Sequence, residues 1–246
     1  MDESALSFLP LAVAMFAVAV LYSSVGHAGA SGYIAVLTLC GLGIETVRPT
    51  ALTLNVLVAA IATVQWCRAG HFSWGLFWPF AILSAPAAFL GGWLKLPADF
   101  LKILVGLVLW FSACRLFFRK NDPSETKRPS KTASVASGAG IGFLAGLTGT
   151  GGGIFLTPLL LFCGWAKAKE AAAASAPFIL LNSISGLAGY AGSGQSLPNF
   201  AWPLALVVAA GGLIGSSLGS RHLAVRAISI ILAAVLIVAG AKLVLG

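Results

Sequence analysis

Polar residues interrupt this chain only at intervals. The apolar runs between them fall at 5–24, 30–42, 49–66, 74–94 and 99–118 in the first half and at 133–147, 153–164, 170–190, 199–219 and 224–245 in the second. Each run reads as a helix. Crossing a bilayer takes about 20 mostly apolar residues, and 30–42 and 153–164 are too short for that. Each short run follows directly on a glycine-rich stretch. The pattern therefore predicts a helical hairpin at the start of each half, its glycine tip stopping part-way through the membrane. Non-helical backbone at that depth is tolerated only where protein or a cavity surrounds it.

The halves are related. Gly26, Gly29, Cys40 and Gly41 reappear 123 residues on as Gly149, Gly152, Cys163 and Gly164, and further along Thr53 aligns with Ser175 and Gly70 with Gly192 at an offset of 122. Duplicated apolar halves point to a transporter built from repeats. The expected fold is an all-α membrane protein of two inverted repeats, each a glycine-tipped helical hairpin plus three transmembrane helices. Repeat 1 covers 1–118, a basic linker 119–131 and repeat 2 132–246.

Composition sharpens this picture. The chain is 59% hydrophobic and 9% charged, against about a quarter charged in soluble domains. Its acids, Asp2, Glu3, Glu45, Asp99, Asp122, Glu125 and Glu170, all sit near segment ends or in connections. The formal charge of +8 is read as a set of topology determinants beside apolar segments, not as a nucleic-acid surface. Arg119, Lys120, Lys127, Arg128 and Lys131 make the linker cytoplasmic by the positive-inside rule. With three spans after each hairpin, eleven of the fifteen Lys and Arg fall inside, and Arg48, Lys95, Lys102 and Lys242 fall outside. A parallel arrangement of the halves divides them eight to seven. The counts favour inversion with both termini outside. Five full spans per half give the same division, so the hairpins rest on segment length alone.

Smaller features follow. The acidic start, Met-Asp-Glu-Ser, lacks the basic region of a secretory signal, so the first run is expected to stay in the mature protein. Trp74, Trp78, Trp93, Trp165 and Trp202 lie near segment ends, where interfacial anchors belong. The four cysteines, Cys40, Cys67, Cys114 and Cys163, have no CxxC spacing and are expected to be buried and inert.

The chemistry is expected at the tips, Gly26-His27-Ala28-Gly29-Ala30-Ser31-Gly32 and Thr148-Gly149-Thr150-Gly151-Gly152-Gly153. Glycine permits positive φ and close backbone approach. Each short helix begins at its tip, so its free N–H groups and positive dipole end point toward the bilayer centre. Two such ends facing one cavity form an anion site without a buried Lys or Arg. The competing reading is that the glycines only allow helices to pack closely. Ser31, Thr148 and Thr150 add hydroxyls. Thr53 and Ser175 align across the repeat and are candidate cavity-lining residues; Asn55 and Asn182 are either ligands or helix-to-helix glue. His27 stands where the second copy has Thr150. It either donates to the anion or carries a proton, or it is a neutral histidine satisfying a backbone carbonyl.

These motifs resemble the sulfite exporter TauE/SafE family, also called the toluene-sulfonate uptake permease family. The resemblance covers nearly the whole chain. It is clearest at Leu147-Thr148-Gly149-Thr150-Gly151-Gly152-Gly153-Ile154-Phe155-Leu156-Thr157-Pro158-Leu159, which is similar to the family's GxGGG-then-proline pattern. The first copy has Ala28 and Ala30 for glycines, Ala35 for the proline, and the added His27. The resemblance implies a multi-pass carrier of sulfite, organosulfonates or related sulfur anions in the bacterial inner membrane, with no cofactor. The sequence leaves a homo-oligomer open.

Two other classes compete with this reading. Gly29-Ala30-Ser31-Gly32 matches the GxSG of rhomboid proteases, but such an enzyme needs a histidine on another helix to activate the serine; His27 is four residues from Ser31, and His71 and His222 sit at segment ends. A passive anion channel remains open beside the carrier. A cation permease lacks the deep carboxylates or clustered ligands it requires.

Overall fold

A computed structural model describes residues 3–117, 126–195 and 201–221 together with 237, 240, 241, 244 and 245. Among the described residues the secondary structure is helical. The elements are α1 (Glu3–Ser23), α2 (Ala30–Leu39), α3 (Ile44–Arg68), α4 (Trp74–Trp93), α5 (Ala98–Phe117), α6 (Lys131–Thr148), α7 (Gly153–Phe162), α8 (Ala168–Gly192) and α9 (Ala201–Arg221). Nine of the ten apolar runs thus become helices. The tenth expected span, 224–245, lies largely outside the described residues, as do linker residues 119–125 and the side chain of Trp202.

Among the described residues four helices are long and apolar enough to cross a membrane: α3, α4, α8 and residues 203–220 of α9. The short runs form helices of ten residues each, about 15 Å long at 1.5 Å per residue. That is half a bilayer.

Packing repeats with the halves exchanged. α4 lies along α6 as α9 lies along α1, and α3 packs on both α8 and α9. Both lateral seams are closed by glycine at every fourth position. Gly138, Gly142 and Gly146 of α6 rest on the backbone of Phe80, Ser84 and Ala88, and Gly211, Gly215 and Gly219 of α9 rest on that of Phe16, Val20 and Ser24. In lipid no hydrophobic force drives helices together, so close backbone approach and van der Waals packing take its place. The packing explanation of glycine thus holds for these six, which the sequence analysis did not single out.

α3 meets α8 through Leu52 beside Gly186 and through a hydrogen bond from Asn55 to Ser183, while Trp66 packs with Ala172 and Ala173. Positions rise along one helix as they fall along the other. These two helices, one from each half, therefore run antiparallel.

One expectation needs correction. Cys40, Cys67 and Cys114 are exposed and Cys163 is half-buried, not buried as expected. An apolar residue in a membrane helix is accommodated by lipid as readily as by a core. Among the tryptophans, Trp74, Trp78 and Trp93 stand exposed, whereas Trp165 packs on Phe80 with ring centroids 6.0 Å apart.

Candidate functional site

The tips turn through left-handed glycines. Gly149 closes α6 at φ 79°, Gly151 and Gly152 follow at 74° and 86°, and Gly29 opens α2 at 108°. An L-residue costs about 1–2 kcal/mol in that region, so the sequence places glycine there. Turned this way, the second tip presents its backbone N–H groups as a run. Among the described residues, no acceptor meets those of Thr150, Gly151, Gly152, Gly153 or Ile154, although all five residues are buried. Buried N–H groups are normally paired, and successive free ones form a concave anion-binding nest.

The tips touch each other. His27 Nε2 donates to the Gly153 carbonyl oxygen at 3.0 Å, its ring edge-on to Tyr22. Asn55 ties both tips to α8: its Oδ1 accepts from Ala30 N–H at 3.1 Å, its Nδ2 donates to Ser183 Oγ at 3.0 Å, and Gly151 lies directly against that Nδ2. Gly151 and Gly153 also press on Ile179. Asn55 and Ile179 lie near the middle of the 25-residue α3 and α8. The two tips therefore meet half-way along the longest helices.

The other candidate residues are placed less uniformly. Asn182 is fully buried; its Oδ1 accepts from Ser84 Oγ at 2.6 Å, and its Nδ2 has no partner. Thr148 Oγ1 lies 2.9 Å from Thr150 Oγ1 and 2.7 Å from the Leu144 carbonyl oxygen. Gly152 packs on Ile141, Phe178 and Ala145. Ser31 Oγ donates to Tyr22 Oη at 3.1 Å, a tyrosine partner that gives the serine no activating base. Gly32 packs on Val18 and Tyr22, and Gly26 on Ala172. Ser175 Oγ pairs with Thr157 Oγ1 on α7 at 2.7 Å. Thr53 spends its hydroxyl on the Pro49 carbonyl of its own helix.

Two residues that the sequence pattern does not single out also stand here. Ser183, next to the candidate Asn182, is the one that reaches Asn55. Arg48, counted as an outside charge, is 3% exposed and packs its side-chain stem against Gly149. An anion site free of buried cations is thus not what surrounds the second tip. Arg48 Nη2 donates to the carbonyls of Gly91, Gly92 and Gly146 at 2.8, 3.2 and 2.9 Å, and the guanidinium carbon sits 5.7 Å from the Tyr190 ring centre. The apolar run read from the sequence begins at Pro49, one residue after Arg48. The helix starts instead at Ile44. Pro49 has no N–H to offer the Glu45 carbonyl, and that carbonyl accepts from Tyr190 Oη at 3.3 Å.

A sequence profile of the sulfite exporter TauE/SafE family matches residues 11–243. A probable membrane transporter protein of Sinorhizobium fredii, y4hK, is 44% identical over 99% of both chains. A probable membrane transporter of Methanocaldococcus jannaschii is 27% identical over 73% of this chain and 70% of its own length. Another from Bacillus subtilis, YunE, is 33% identical over 51% of this chain and 46% of its own. No solved structure matches the chain.

Proposed function

We propose that this chain, which belongs to the sulfite exporter TauE/SafE family of membrane transporters, carries a small sulfur-containing anion such as sulfite or an organosulfonate across the bacterial inner membrane. The anion binds between the two glycine tips, and one half moves against the other around it. The observation that carries this reading is the buried run of unpaired N–H groups from Thr150 to Ile154. Such a run is costly when empty and suited to oxygen atoms bearing negative charge. The unpaired Asn182 Nδ2 is a further donor. The halves act as inverted repeats about residues 1–118 and 132–246. The antiparallel meeting of α3 and α8, and the exchange-related seams of α4 with α6 and α9 with α1, support that arrangement. With the basic linker inside, α6 starts at the cytoplasmic face and ends toward the outer one.

Counterflow in proteoliposomes tests the carrier against the channel. Vesicles loaded with unlabelled sulfite should transiently accumulate labelled sulfite above equilibrium, equally in sodium and in choline medium. Uptake without overshoot indicates a channel, and no anion flux at all contradicts the reading.

His27 allows a second test. Its Nε2–H is committed to the Gly153 carbonyl, which a neutral imidazole satisfies. His27→Gln should keep the pH profile of flux while lowering its rate less than about tenfold, because one hydrogen bond contributes about 0.5–1.5 kcal/mol. A flattened pH profile would make His27 a proton carrier instead.

A further inference from the structure

Arg48 is a permanent charge at 3% exposure. Among the described residues the one ion pair within 4.0 Å is Lys102 with Asp99, so no described carboxylate balances the guanidinium. It is held by backbone carbonyls in the last turns of α4 and α6 and by the face of Tyr190. The negative ends of helix dipoles suit a cation there. These bonds use Nε and Nη2; Nη1 has no acceptor among the described residues.

Holding the helices together does not account for this charge. The equivalent seam in the other half, α1 against α9, closes on Gly211, Gly215 and Gly219 against the α1 backbone, with no cation among its described side chains. There Gly26, the counterpart of Gly149, rests on Ala172. At the repeat offset of 122, Arg48 corresponds to Glu170, whose carboxylate accepts from Lys167 N–H at a helix start. Among the described residues the buried Arg thus stands at one end of the molecule. Arg48 sits at the end of α6 opposite the linker, seven residues along α3 from Asn55, or about 10 Å from the level where the tips meet. Its side chain touches Gly149, and the unpaired N–H groups begin at the next residue and run to that level.

We infer that Arg48 forms a second anion station, on the outer side of the tips, from which a small anion passes along the amides of Thr150 to Ile154 to the central site. This rests on the anion-carrier reading above. A fixed charge in a low-dielectric wall raises the local concentration of oppositely charged solute, and Nη1 supplies a donor to it. Because the charge lies at one end, its removal acts on one side of the membrane.

The experiment compares right-side-out and inside-out membrane vesicles carrying wild type, Arg48→Gln or Arg48→Lys, with sulfite as the transported probe. Arg48→Gln should raise the half-saturating concentration at the outer face at least tenfold and leave that at the linker face within twofold. Arg48→Lys keeps the charge but lacks the planar fork, and should shift the outer value several-fold while the protein stays folded. If Arg48→Gln does not assemble, Arg48→Lys alone decides. Equal shifts at both faces, or none at either, overturn the station. Wild-type vesicles that move no sulfite at either face would instead overturn the carrier reading beneath it.

Discussion

Gly151→Ala lowers anion flux at least about a hundredfold while leaving an inserted, folded protein. At φ 74° an alanine carries about 1–2 kcal/mol of left-handed strain. Its methyl group lands on Asn55 Nδ2, with Ile179 Cγ2 and Ser183 Oγ each at 2.9 Å. Asn55 must then give up Ser183 or Ala30 N–H, leaving a buried polar group unpaired at about 1–3 kcal/mol. The strain and the lost pairing both fall on the tips, and about 2.7 kcal/mol suffices for a hundredfold. Gly194→Ala is the control. Gly194 has φ 77° but nothing within 4 Å of an added Cβ, so it carries the strain without the collision and should transport near the wild-type rate. Initial rates in proteoliposomes, beside melting curves of the purified variants, check both.

Gly146→Leu should remove the folded protein altogether. A Cβ at Gly146 collides with the Ala88 backbone, so α4 and α6 must separate, and the Gly146 carbonyl that receives Arg48 moves with them. Overpacking costs about 1–3 kcal/mol where side chains can yield; here the obstacle is backbone. The displaced guanidinium adds the penalty of a buried charge that has lost its acceptors. Gly140→Leu lies on the same helix with open space at its Cβ and should be tolerated. Detergent-solubilised yield and size-exclusion profiles of the two variants give the comparison. Loss of monodisperse protein with Gly140→Leu as well would show that the helix, and not its seam with α4, is the sensitive element.

Much of the fold was legible because apolar run length and glycine punctuation are one-dimensional signals. The runs at 30–42 and 153–164 became the ten-residue α2 and α7. The seams were less legible. Gly138, Gly142 and Gly146 recur every four residues, but a stripe of small residues does not name its partner. The candidate site was legible where a motif carried it. Gly151, Gly153, His27 and Asn55 come together as a cluster, while Thr53, singled out by alignment alone, turns its hydroxyl onto its own helix. Arg48 was misread for a physical reason. Charge near a segment end usually marks an interface, and the carbonyls that accept this one, Gly91, Gly92 and Gly146, lie 43 to 98 positions away. No local pattern announces such a partnership.

The central claim is that a small sulfur anion binds at the meeting point of the glycine tips. Calorimetric titration of sulfite into detergent-purified wild type and Gly151→Ala tests it most directly. The account predicts saturable binding of one anion per chain in wild type, none in Gly151→Ala, and no comparable heat from sodium chloride. Equal binding by both proteins would place the anion elsewhere, and binding of a metal cation in its stead would contradict the site.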